Sequence, residues 1–214
     1  MEDNKIFIMQ DSRSNTGSNA MFWRLGGGYT SNIDEAETFN LEEAQGMHDS
    51  RNTDIPLLKR SVEGMAIYKI DCQYLPPPIV NTCNGVRYVA VRRIKFDGND
   101  IYFATNNGGH TSTDFNIAKI ICHADLSSGF FSPEMFDIYD YGVLMNIRRR
   151  TIEASSINYV EASLNHGIKL KKKKRQKPST GKNRLNCNNC GRIVWDYGHE
   201  HPDSCKSCEA KNGR

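Results

Sequence analysis

The sequence predicts an α+β fold: two small hairpin-plus-helix modules, then a basic linker and a cysteine-rich tail. Three observations support it. β-prone runs alternate with glycine-bearing turns and short helical segments through residue 167; positive charge is gathered into one segment; and four of the seven cysteines lie in the last thirty residues.

The elements follow in order. The first module, residues 1–75, opens with the β-prone run Ile6-Phe7-Ile8-Met9 and continues through Phe22-Trp23 to the turn Gly26-Gly27-Gly28. Asn40 can cap free backbone N–H groups and start the helix LEEAQGMH. Residues 76–85 form a connector, in which Pro76-Pro77-Pro78 is stiff and extended and Asn84-Gly85 makes a turn. In the second module, residues 86–167, Val86 to Val91 is β-prone. Asp97-Gly98-Asn99-Asp100 is a hairpin signal between Val89-Ala90-Val91 and Ile101-Tyr102-Phe103. A helix IAKIICHA is expected after Asn116. A third is expected at 156–166, with Ile157, Val160 and Leu164 on one face and Gly167 as its stop.

The two modules resemble each other. Phe22 to Ser31 matches Phe103 to Ser112 around the glycine turns, and Phe39-Asn40-Leu41 recurs as Phe115-Asn116-Ile117. Duplication and chance recurrence of a glycine-rich turn both account for so short a match.

Charge divides the rest. Residues 1–167 carry 15 Lys and Arg against 21 Asp and Glu, whereas residues 168–184 carry nine basic residues and no acid. These nine are Lys169, Lys171, Lys172, Lys173, Lys174, Arg175, Lys177, Lys182 and Arg184. Such a run cannot bury apolar surface and reads as a solvated linker. It contains no aromatic residue, so it offers phosphate neutralisation without base stacking. A plain tether and a nuclear localisation signal have the same composition. The mean hydropathy of −0.61, the lack of an apolar run of about 18 residues and an N-terminus without the basic-then-apolar order of a secretory signal lead to the expectation of a soluble intracellular protein with no membrane partner.

Residues 185–214 contain two CxxC pairs, Cys187/Cys190 and Cys205/Cys208, separated by fourteen residues. Two residues between cysteines let a tight turn aim both thiolates at one ion, and the intervening hairpin brings the second pair opposite the first. Gly191 suits the left-handed turn after the first pair. The expectation is one structural Zn²⁺ in a zinc ribbon. Disulfides need an oxidising compartment, and fourteen residues cannot hold the ββα-metal element of an HNH-type nuclease. His199 and His201 are read as polar loop residues. Trp195 suits the ribbon's small core, or, with Arg192 and Tyr197, an exposed contact.

No other constellation supports an enzyme or a small-molecule substrate. The glycine turns match neither the P-loop nor the dinucleotide-binding pattern. Cys72, Cys83 and Cys122 are scattered, Cys122-His123 point in different directions on a helix, and Asp97, Asp100, Asp114 and Asp125 fit turns or caps.

Residues 22–56 resemble a segment shared by short uncharacterised proteins of tailed bacteriophages and prophages. The positions that carry the resemblance are Phe22, Trp23, Gly28, Tyr29, Thr30, Ile33, Asp34, Ala36, Phe39, Glu42, Glu43, Ala44, Ile55 and Pro56. Phe22 departs from it, because tryptophan is commoner there. The resemblance implies phage origin and a bacterial host cytoplasm, and it carries over no activity or mechanism. The expectation is a non-enzymatic accessory protein binding DNA, RNA or a host nucleoprotein complex through the linker and ribbon. The alternative is a protein-interaction module that inhibits a host transcription, translation or defence factor.

Overall fold

The computed structural model describes residues 5–107, 109–127, 129, 131–171, 183–187, 189–196 and 205–209, without the side chains of residues 183–185, 195 and 196. The chain forms two compact units, Met1–Lys171 and Lys172–Arg214.

The first unit is mixed α/β and contains two series of elements. The first series is β1 (Phe7–Thr16), β2 (Asn19–Trp23), β3 (Tyr29–Thr30), a 3-10 turn (Ile33–Glu35), β4 (Thr38–Phe39), α1 (Leu41–Ser50), β5 (Asp54–Leu58), α2 (Lys59–Glu63) and β6 (Ile67–Lys69). The second is β7 (Tyr88–Asp97), β8 (Asp100–Ala104), β9 (Thr111–Ser112), a 3-10 turn (Phe115–Ile117), β10 (Ile120–Ile121), α3 (His123–Ser127), β11 (Phe136–Asp140), α4 (Tyr141–Ile147) and β12 (Arg149–Thr151), followed by α5 (Tyr159–Ala162). Each series builds a five-stranded sheet, β3-β2-β1-β4 with β5 on β1, and β9-β8-β7-β10 with β11 on β7. Counterparts stand 81 residues apart in the hairpins (Phe7 and Tyr88, Asn19 and Asp100) and 82 apart from the third strand onward (Tyr29 and Thr111, Ile67 and Arg149).

Phe7, Met9 and Leu58 pack on one face of the first sheet and Tyr88, Ala90, Ala104 and Ile121 on one face of the second, and alternation along the strands fills two cores on the opposite faces. Ile8, Ala20, Phe22, Ile33, Leu57 and Val62 pack in one, and Val89, Ile101, Phe103, Phe115, Tyr139 and Leu144 in the other. Each core is completed by an isoleucine of the opposite series: Ile152 joins the first and Ile70 the second. The backbone crosses in the same way. Ala20 N–H donates to Ile152 O at 2.9 Å and Ile101 N–H to Ile70 O at 3.1 Å, while Ala154 N–H meets Ser18 O at 2.9 Å and Cys72 N–H meets Asn99 O at 2.8 Å. Strands β6 and β12 pair with each other. Residues 1–75 and 86–167 therefore close one another's cores within one unit.

The two hairpin turns meet where the series join. Gly17 (φ +61°) and Gly98 (φ +60°) are in contact, and a Cβ on Gly98 would lie 2.5 Å from Gly17 N. The hairpin expected at Asp97–Asp100 forms, with those two residues paired. Beside the turns lies a polar cluster. Lys69 is fully buried, and its Nζ donates to Ser18 Oγ at 2.9 Å. It lies 3.5 Å from Asp97, 3.7 Å from Asp100 and 3.9 Å from Glu153. Arg149 spans Asp71 and Asp100, both at 2.7 Å.

Local expectations fare unevenly. Helix α1 begins at Asn40 with a full capping box: Asn40 Oδ1 accepts from Glu43 N–H at 2.9 Å, and Glu43 Oε2 from Asn40 N–H at 3.0 Å. The helix expected after Asn116 does not form. Asp114 caps the turn Phe115–Ile117 by accepting Asn116 N–H at 2.9 Å, and Ile120 and Ile121 pair with Val89 and Tyr88 as β10. Ala118 and Ile121 are buried and Ile120 is exposed, and pairing with β7 overrides the helical reading. Phe115 thus corresponds to Ile33, not to Phe39. The helix expected at 156–166 is broken into a turn at Ala154–Ser156, α5 and a turn at Leu164–His166. Its predicted stripe is wrong as well, since Val160 and Leu164 are exposed and Ala162 is buried. Gly167 does end the segment, at φ +99°.

The linker expected from residue 168 does not begin there. Ile168 is buried with Phe7, Met9, Ala44 and Leu58. Gln45 holds both backbone groups of Lys169. The buried His48 donates from Nδ1 to Asp54 O at 2.7 Å and accepts Lys171 N–H on Nε2 at 3.1 Å. Residues 168–171 are thus docked on α1, because the buried Ile168, the half-buried Leu170 and main-chain hydrogen bonds outweigh a basic composition.

Candidate metal centre

In the second unit, β13 (Asn183–Asn186) and β14 (Ile193–Asp196) form an antiparallel hairpin, with Asn186 opposite Ile193. The tight turn between them presents Cys187 and Cys190. Cys187 N–H donates to Arg192 O at 2.8 Å and Gly191 N–H to Cys187 O at 2.9 Å. The second pair repeats this geometry: Glu209 N–H donates to Cys205 O at 2.7 Å and Cys208 N–H to the same oxygen at 3.3 Å. The residue after each pair has positive φ, 69° at Gly191 and 54° at Glu209.

All four sulfurs lie within 4.8 Å of one another. Cys187 and Cys208 are 3.7 Å apart, as are Cys190 and Cys205. A disulfide requires about 2.05 Å, and none joins these four cysteines. Four thiolates about 2.3 Å from one tetrahedral ion would stand about 3.8 Å apart. The donor set therefore fits a metal ion, and four sulfurs leave no open coordination position.

The thiols oppose one another without a cation. Arg192 N–H lowers Cys190, but the neighbouring Cys208, Cys187 and Cys205 sulfurs and burial outweigh it and push the thiol up to about 11. Cys205 is lowered, chiefly because Ser207 N–H donates to its sulfur, at 3.4 Å. Some N–H donors are thus in place for thiolates whose mutual repulsion a cation would cancel.

Glu209 occupies a left-handed conformation that costs a non-glycine residue about 1–2 kcal/mol. Glu209→Gly is expected to make the tail hold metal more tightly, by about tenfold in the chelator concentration that strips half of it. No gain in a chelator titration would show that this turn is not strained.

The other residues singled out from sequence fall apart from this centre. Lys169 and Lys171 belong to the first unit, where Lys171 Nζ donates to Asp49 O. Lys172, Lys173, Lys174, Arg175, Lys177 and Lys182 lie outside the described residues, as do Tyr197, His199 and His201. Arg184 lies in β13, its backbone opposite Trp195. Gly26–Gly28 form a turn in which Gly27 N–H donates to Arg24 O at 2.9 Å. Asp114 caps its turn as expected, and Asp125 accepts Cys122 N–H at 2.8 Å. Asp97 and Asp100 belong to the buried Lys69 cluster, which sequence reasoning missed. Its one sequence signal was a lysine in an otherwise apolar strand, Ile67-Tyr68-Lys69-Ile70.

Fold and site define a mixed α/β unit followed by a unit whose four cysteines lie close enough together to hold a metal ion. No family model, curated protein or solved structure matches the chain. Among the described residues no helix is long and apolar enough to cross a membrane.

Proposed function

We propose that Cys187, Cys190, Cys205 and Cys208 hold one structural Zn²⁺, and that the protein is a non-enzymatic accessory protein binding nucleic acid or a nucleoprotein complex through its tail. Zinc is the natural choice for four thiolates in tetrahedral array, where it holds a small unit together without redox chemistry. The observation that carries the reading is the nine basic residues without an acid directly before the four-cysteine unit. Because residues 168–171 dock on α1, the reading rests on the basic residues that follow them in sequence. Replacing Lys172, Lys173, Lys174 and Arg175 by glutamine is expected to weaken binding to DNA or RNA and to flatten its salt dependence by about 0.7–0.9 log units for each phosphate no longer neutralised. Unchanged affinity in a fluorescence titration would reject the reading.

A second reading draws on the resemblance of residues 22–56 to phage and prophage proteins, with action in a bacterial host cytoplasm. There Leu25, 72% exposed beside the glycine turn, would dock a host transcription, translation or defence factor. Capture of one stoichiometric host protein that resists nuclease and high salt, and is lost with Leu25→Ser, supports it. We also infer that the two series of elements are copies of one ancestral unit. The shared strand order, the near-constant spacing and the reciprocal Ile70 and Ile152 closures support this.

A further inference from the structure

We propose that the rim of the second sheet's Tyr102 face, beside the core of Tyr88, Ala90, Ala104 and Ile121, is a contact surface for single-stranded nucleic acid; this deepens the nucleic-acid reading by adding a site outside the tail. Ile101 and Phe103 of β8 point into the core, so Tyr102 points to the opposite face. Lys95 Nζ lies 4.2 Å from the Tyr102 ring centroid. Arg92 lies over Phe136 at 5.3 Å, Phe136 meets Phe131 edge-on at 5.5 Å, and Lys119 lies 5.7 Å from Phe131. Three cations and three half-buried rings thus share one face, where Phe131 and Phe136 also pack against the buried Tyr88, Ala90, Ala104 and Ile121. Among the described residues, Arg92 and Lys95 make no ion pair; they rest on rings, which leaves their positive charge uncancelled.

The first series supplies an internal control. Arg92 pairs across strands with Phe136, and in the same register the first sheet pairs Asp11 with Asp54. Lys119 N–H donates to Ala104 O at 2.8 Å, and its counterpart Glu37 N–H donates to Trp23 O at 2.9 Å. Tyr102 sits where the first sheet has Met21. Asp11 and Asp54 are neutralised locally by Arg13 and Arg51. One scaffold therefore accepts Asp11, Glu37 and Met21 where its other half carries Arg92, Lys119 and Tyr102, so folding demands neither those cations nor the Tyr102 ring. Phe131 and Phe136, by contrast, also pack against the core, and among the described residues the first sheet sets a cation on a ring only where Arg51, paired with Asp54, lies over Trp23. Rings beside cations match the stacked bases and phosphates of a single strand, whereas a duplex hides its base faces.

The test uses the full-length protein, labelled oligothymidine and oligouridine, a duplex, and vesicles of anionic phospholipid. Tyr102→Met, which takes the residue of the first series, is expected to lower affinity for the single strands by about 5- to 100-fold, the range for loss of one stacked base, with little change for the duplex. Tyr102→Phe should retain binding, and Arg92→Gln with Lys119→Gln should reduce it further. Circular dichroism melts confirm that each variant is folded. Loss in these variants but not in the linker glutamine variant keeps this face and rejects the tail as the contact. The reverse pattern overturns this face and leaves the tail reading intact. Binding of the parent to vesicles and not to oligonucleotides overturns both.

Discussion

Replacing Lys69 by methionine is expected to destabilise the first unit by about 3–5 kcal/mol, the cost of removing one partner from a buried ion cluster. Lys69 and Asp100 are both fully buried. Asp100 also receives Arg149 at 2.7 Å and Asn19 Nδ2 at 2.5 Å, but without Lys69 the carboxylates of Asp71, Asp97 and Asp100 face one remaining cation. The loss should lower the melting temperature by on the order of 10 °C. Adding Asp100→Asn should recover part of it, because the two side chains share one network and their effects do not add. A melting temperature within a degree or two of the parent would show that this cluster does not join the two series. The contacts at stake bind Ser18 and Asn19 of one hairpin to Asp97 and Asp100 of the other, so loosening them exposes both isoleucine closures.

Removing the metal is expected to unfold the second unit and leave the first intact. The tail is too short to bury a core of its own, and binding a structural zinc ion contributes on the order of 10 kcal/mol or more to folding in units of this kind. Cys205→Ser should therefore abolish stoichiometric zinc in elemental analysis and the tail's dispersed resonances in an NMR spectrum, with the melting of residues 1–171 unchanged. The protein has two tryptophans, so in a Trp23→Phe background the fluorescence of Trp195 reports the tail alone and should change on chelation. Protons compete with the ion for the thiolates, so affinity should fall as the pH is lowered. A tail that keeps its spectrum after chelation would show that the four sulfurs meet without needing an ion.

Legibility followed the range of the interactions. The capping box at Asn40 and Glu43, the Asp97–Asp100 hairpin, the Gly167 stop and the two CxxC turns each close within a few residues, and each was readable. Asn116 misled because its sequence suits a helix cap, while the partner that made the following residues a strand, Tyr88-Val89, lies about thirty residues earlier. The similarity of Phe22–Ser31 to Phe103–Ser112 pointed to the matching turns but misaligned the segments beyond them, since the second series has one residue more at the glycine turn. Lys169 and Lys171 were read by charge, and their backbones were claimed by Gln45 and His48, more than a hundred residues away.

The sequence by itself determined the α+β character, the turns, the first helix and the four sulfur donors, because spacing and backbone preference act locally. Only the tertiary structure decided that Ile70 and Ile152 would each close the core of the opposite series, that Lys69 would be buried among carboxylates, and that Arg92 would rest on Phe136 where the first sheet pairs Asp11 with Asp54. Each of these depends on residues distant in sequence being brought within a few ångströms, and composition and periodicity hold no record of that distance.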